Sequence, residues 1–268
     1  MRRGKIGLGI AAALAATCLL AHDLFVEPAT YFVEAGSQVE ATLFNGTFRR
    51  SENTIDGERV AALKMAGPEG VVRLGWDGWD GPAHTTKFRV QVGESGTYAL
   101  GVSTKPRPIE LSGPDFNEYL AHDGIPDVLE ARKRAGQLDR PVVERYAKHV
   151  KTLVQVGGGG GEGWKKSFGF PAEIVPVANP YELAAGRTLR VRVLVDGRPV
   201  GNQVVIAGGM DDRGPFEERQ VRSDAEGIAA FEIDRPGTWY VKFIHMVETE
   251  SEGIDYESKW ATLTFEVR

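Results

Sequence analysis

The sequence predicts a mainly β protein: two antiparallel β-sandwich domains, the second transthyretin- or immunoglobulin-like, with a helical connector between them. Short apolar runs with period-two alternation, separated by Gly-containing turns, fill both halves of the chain. Between residues 114 and 156 the apolar spacing becomes helical. Five consecutive glycines, Gly157 to Gly161, then interrupt the chain before the strand pattern returns.

The first segment is Met1-Arg2-Arg3-Gly4-Lys5 followed by an apolar run from Ile6 to Leu20. A basic head and about 15 apolar residues have the form of a secretory signal peptide, short of the ~20 residues that span a bilayer. Residues 1–21 are read as that signal, cleaved between Ala21 and His22, which places the mature chain in the periplasm or outside the cell. A lipidated Cys18 is the alternative, but Ala15-Ala16-Thr17 lacks the leucine expected at −3. No later stretch is long and apolar enough to form a transmembrane segment. The full chain of 268 residues carries 32 basic and 37 acidic residues, a charge of −5. Losing Arg2, Arg3 and Lys5 leaves 29 against 37, a charge of −8, which argues against a nucleic-acid partner. The single cysteine leaves with the signal, so a disulfide scaffold and a thiolate-based zinc site are excluded.

The N-terminal sandwich is assigned to residues 22–113. Its strands include Val39–Leu43, Val60–Met65, Phe88–Val92 and Tyr98–Val102, with Glu94-Ser95-Gly96-Thr97 as a turn. The helical connector covers 114–156. Pro126 and Pro141 stand where helices would begin, since a first-turn proline needs no N–H. After Pro141, Val142, Tyr146, Val150, Leu153 and Val154 recur at helical spacing. Residues 157–169 read as a Gly-rich linker, because ordering glycine costs the most backbone entropy. No Lys-Ser or Lys-Thr follows the glycines, so they do not form a phosphate-binding loop. The C-terminal sandwich spans 170–268. It alternates through Leu189–Val195, turns at Asp196-Gly197, and continues with strands at Ile228–Ile233, Trp239–Phe243 and Trp260–Val267.

Five histidines can be weighed singly. As a first residue, His22 offers its α-amine and imidazole Nδ1 to one metal, and a second imidazole would complete a T-shaped set suited to Cu(II) or Ni(II). The alternative is an ordinary, frayed first residue. His245, flanked by Met246, Glu248 and Glu250 after a strand, is the second candidate ligand, against a strand-end histidine bonded to backbone. His149, beside Lys148 and one turn from Arg145, reads as a solvated or core-edge residue. His122 caps or is exposed, and His84 receives no role. Trp76 and Trp79 could stack on a sugar, but a Gly-rich loop packing its own aromatics accounts for them better. Asp211-Asp212 and Glu217-Glu218 read as solvated charges, and no nucleophile–base spacing supports an enzyme.

The mature start His22-Asp23-Leu24-Phe25-Val26-Glu27-Pro28 resembles that of a bacterial periplasmic family of unknown function. So do Asp127-Val128-Leu129-Glu130-Ala131-Arg132, Glu144-Arg145-Tyr146-Ala147-Lys148, Ala172-Glu173-Ile174-Val175-Pro176 with Asn179-Pro180-Tyr181, Ile244-His245-Met246 and Ser258–Leu263. That family is described by inference as a periplasmic component of cobalt or nickel uptake (NikM-like). Its members often carry His where this chain has Phe170. The resemblance implies a non-catalytic periplasmic protein serving a membrane uptake transporter for cobalt or nickel; joined to the chemistry of His22 and His245 as candidate metal ligands, it predicts a periplasmic binding protein for a divalent transition metal (nickel, cobalt or copper). Two rivals remain: an envelope binding module for carbohydrate or protein, and a copper oxidase or monooxygenase built on an N-terminal His.

Overall fold

The computed structural model describes residues 22–183 and 186–268; the expected signal peptide, residues 1–21, lies outside them. Among the described residues the fold is mainly β with two helices. Its strands follow the period-two pattern. Ile228–Ile233 and Arg187–Val195 pair antiparallel, their Leu189, Val191, Phe231 and Ile233 side chains buried while Arg190, Arg192 and Glu232 face water. The turn after Val195 uses Asp196 (φ 49°) and Gly197 (φ 74°), the left-handed pair that a two-residue hairpin requires, and Val195 faces Arg198 across it.

Three sheets build the body. An 11-stranded sheet runs through its middle, in the order Val204–Asp211, Gly237–Glu248, Tyr256–Val267, Val142–Val156, Gly96–Thr104, Val60–Gly67 and Gly70–Leu74, with short strands at the margins. A five-stranded sheet led by Asp23–Pro28 and Gln38–Thr47 covers part of one face. There Val26, Leu43, Phe88 and Val90 pack on Leu100, Val102, Val150 and Val154. The helices Gly113–His122 and Pro126–Arg134 cover the rest of that face, with Phe116, Tyr119 and Leu120 against Ile244, Tyr256 and Trp260. A four-stranded sheet led by Ala172–Pro176 and Arg187–Val195 covers the opposite face, where Ile174, Val193 and Phe231 meet Leu153, Phe243 and Leu263.

This arrangement corrects three expectations. The segment expected to form the connector's last helix is a 15-residue strand, Val142–Val156. Val142, Tyr146, Val150 and Val154 are spaced by four, which keeps residues on one face of a strand as well as of a helix. β-Branched valines and burial on both faces favour the strand. This strand also joins what were expected as two sandwiches. It runs parallel to Tyr256–Val267 from Glu144 to Thr152 and antiparallel to Gly96–Thr104 from Leu153 to Val156. The two halves therefore share the central sheet. Finally, the glycine segment is tied down: Gly157 N–H donates to Val33 O (2.7 Å), and Gly160 O accepts from Thr97 N–H (2.6 Å). Gly157, Gly159, Gly160 and Gly161 all take positive φ, so the run makes a tight turn that other residues would strain.

Candidate functional site

His22 enters the fold just before the strand Asp23–Pro28, which pairs with Gln38–Thr47 from Asp23↔Gly46 onward. Its surroundings hold it at both ends. Lys148 Nζ donates to His22 O and lies 3.3 Å from Asn45 Oδ1. Glu52 Oε2 lies 3.2 Å from the imidazole Nε2. The next residue, Asp23, pairs at 2.7 Å with Lys242 Nζ. Burial alone would lower the Lys242 ammonium, but Asp23 and Glu218 outweigh it and hold it above its ordinary value.

His22 lines a cleft of about 370 Å³ together with Arg59, Arg107, Glu144, Tyr146 and Lys148. Alternation along Val142–Val156 brings Glu144, Tyr146 and Lys148 to one face of the strand. Glu144 is 1% exposed. Its Oε1 accepts from Tyr119 OH (3.2 Å) and Ser258 Oγ, while its Oε2 is buried without a partner. Burial pushes this carboxyl up to about 7, against the two hydroxyl donors. Burial likewise pulls the Lys148 ammonium down to about 8, although the nearby Asp23 charge opposes it. Arg59 stacks over Tyr146, its Cζ 5.3 Å from the ring centroid, with Nη1 3.4 Å from the phenol oxygen. Its Nε is buried without a partner. Perturbed, incompletely partnered groups converging on a concave site of this size make this cleft the candidate functional site.

His245 lies elsewhere. It shares the strand face of Val241 and Phe243, which packs under the four-stranded sheet, whereas Lys148 shares that of Val150 on the other side. Its Nδ1 lies 3.0 Å from Gln203 Oε1, and it lines a separate small cleft with Gln203 and Met246. Its neighbour Glu248 accepts from Tyr256 OH at 3.3 Å, and Met246 is packed among the helices. The structure thus does not bring His22 and His245 together. Among the described residues, no group of three or more His, Cys, Asp or Glu side chains is placed to hold a metal ion.

The remaining histidines line neither cleft. His149 is 2% exposed, bonded through Nδ1 to Ser103 Oγ (2.9 Å), with Nε2 unpartnered; burial, then the Lys259 charge, lowers it to about 4. Phe170 packs beside it at 6.1 Å between ring centroids. His122 Nδ1 pairs with Asp123 Oδ1 at 2.8 Å. His84 sits at positive φ in a turn, its carbonyl accepting from Ser51 Oγ. Trp76 packs on Phe88, and Arg89 lies over Trp79, so each ring has a partner within the fold. The sequence marks Glu144 to Lys148 as a family-like segment inside an expected helix. Read as a strand, that segment puts three of its side chains on one side, which was the signal available.

A family model described as "Domain of unknown function (DUF4198)" matches residues 19–247. The chain belongs to that family. DUF4198 membership covers the cleft, both helices and most of the central sheet. No curated protein matches. Among solved structures the chain is similar to a DUF4785 family protein from Legionella pneumophila, at 12% identity and TM-score 0.26, over 81% of this chain and 50% of that one. It therefore spans half the length of that structure. It is also similar to a segment of two fibronectin type III domains from chicken tenascin, at 11% identity and TM-score 0.23, over 90% of this chain and 97% of that one.

Proposed function

We propose that this DUF4198 protein is a non-catalytic binding protein for a divalent transition metal (nickel, cobalt or copper) that works in the periplasm as a carrier or accessory to a membrane metal-uptake transporter. The metal is held by His22 as the first residue of the mature chain, through its α-amine and Nδ1. One observation carries the reading: Glu52 lies on Nε2 of His22. A carboxylate on one ring nitrogen takes the N–H there and leaves the lone pair on the other, the arrangement in which imidazoles bind metals. Lys148, gripping His22 O, fixes the backbone from which the amine projects. His245 takes no part, because it faces another cleft.

The test begins with the mass of the mature N-terminus, expected to start at His22. Calorimetry with Ni(II) and Cu(II) then compares this chain with one carrying a glycine before His22, which turns the amine into an amide. The extended chain should lose at least tenfold in affinity while folding normally. His245→Ala should bind as the native chain does. Equal affinity with and without the extra glycine sinks the reading.

A further inference from the structure

The metal reading leaves a chemical imbalance in the cleft. His22 offers two nitrogens, fewer than a transition metal requires, yet the walls are cationic. Three positive side chains meet around one tyrosine. Arg59 Cζ and Lys148 Nζ lie 5.3 and 5.5 Å from the Tyr146 ring centroid, and Arg107 pairs directly opposite Tyr146 across the antiparallel strands. Arg59, Arg107 and Lys148 form no ion pair among the described residues. Two acids, Asp56 and Glu144, line the same cleft and the Glu144 charge acts on Lys148, so the three cations exceed the acids by one. Asp56 accepts from the Glu58 N–H at 2.9 Å, and Glu144 Oε1 accepts from Tyr119 and Ser258. Arg59 also keeps a buried, unpartnered Nε. Excess positive charge with open guanidinium donors calls for planar oxyanions, which an arginine fork binds two-point.

We propose that Arg59, Arg107 and Lys148 form an anion subsite for a small polycarboxylate, and that the metal reaches His22 as the complex of such a chelator. The second half rests on the metal reading above; the first does not. The chelator's donors fill the metal positions that the protein leaves open, and its free carboxylates neutralise the cleft. A volume of about 370 Å³ suits a molecule of that size.

The test uses the mature chain, with citrate as the probe polycarboxylate, and titrates citrate alone, Ni(II) alone and preformed nickel–citrate. Citrate alone should bind, and Arg59→Gln and Arg107→Gln should each weaken it about tenfold or more, whereas Arg213→Gln, in a different cleft, should not. Nickel–citrate should bind at least tenfold tighter than citrate or nickel singly. No citrate binding, or citrate binding unchanged in both cleft variants, overturns the subsite. Nickel alone binding as tightly as its citrate complex overturns delivery as a chelate while the metal reading survives. Citrate binding that nickel does not improve, with nickel alone not binding, supports the subsite and removes the metal reading instead.

Discussion

Lys151 Nζ lies 3.1 Å from Glu173 Oε2, and neither side chain is more than 3% exposed. This ion pair links the long central strand to the start of Ala172–Pro176, on the face away from the His22 cleft. Glu173 also accepts the backbone N–H groups of Phe168 and Phe170 and the Ser167 hydroxyl. Burial would raise its carboxyl, but Lys151 and these donors outweigh that and hold it below its ordinary value. Removing one partner strands the other charge in the interior, which costs about 3–5 kcal/mol. Glu173→Gln should therefore lower unfolding free energy by that order in urea. The pair Lys151→Met with Glu173→Leu should cost less than the two single changes added together. Strict additivity would mean that the two groups do not sense one another.

Burial of Glu144 sets the sign of a pH dependence. Its folded value of about 7 lies above the ordinary 4.5, so the folded state keeps the proton longer. As pH rises from 4.5 to 7 the unfolded chain ionises first, and stability falls; above about 7 the loss is complete. The shift corresponds to a loss on the order of 3 kcal/mol. Glu144→Gln keeps an acceptor for Tyr119 and Ser258 and cannot ionise. Relative to the native chain, it should gain stability through this window and hold the gain above pH 7. A difference between the two that does not vary with pH would show that Glu144 ionises as readily in the folded chain as in the unfolded one.

His149 acts in the opposite direction. Its folded value of about 4 lies below the ordinary 6.5. Stability is therefore lost as pH falls from 6.5 to 4, again on the order of 3 kcal/mol. Between pH 4.5 and 6.5 this loss opposes the gain from Glu144, and the native profile should be flatter than either contribution alone. His149→Asn should unmask the Glu144 slope, with stability rising on acidification across that range. A variant profile parallel to the native one would mean that His149 protonates as freely when folded as when unfolded.

Local turn chemistry and alternation made much of the fold legible. Asp196-Gly197 identified its hairpin, and Ile228–Ile233 has the bounds its pattern suggested. The long strand Val142–Val156 was not legible, because valines spaced by four satisfy both periods, and the buried Lys148, His149 and Lys151 blur any alternation. Once that strand is taken for a helix, the shared sheet disappears and Glu144, Tyr146 and Lys148 no longer face one cleft. His22 stood out by the chemistry it would have as a first residue. Its partner Glu52 and neighbour Arg59 reach it only through tertiary structure. His245 drew notice from its acidic surroundings, but strand alternation turns it to the other side of the sheet.

The glycine segment offers the sharpest contrast between a flexible linker and a built turn. Gly163 is buried at the start of a 3₁₀ turn, Gly163–Lys165. A Cβ added there would lie 2.3 Å from Thr97 O and 3.0 Å from Ala66 O, both backbone atoms of central-sheet strands that cannot easily move. Gly158, by contrast, has open space around its Cβ position and no positive φ. Gly163→Ala should therefore destabilise the protein by about 1–3 kcal/mol through overpacking. Gly158→Ala should be neutral or stabilise by up to about 1 kcal/mol, because it restricts only the unfolded chain. Under native conditions residues 157–163 should resist limited proteolysis in the native chain and in Gly158→Ala, and become cleavable in Gly163→Ala. Early cleavage there in the native chain, with Gly163→Ala as stable as the native chain, would restore the linker.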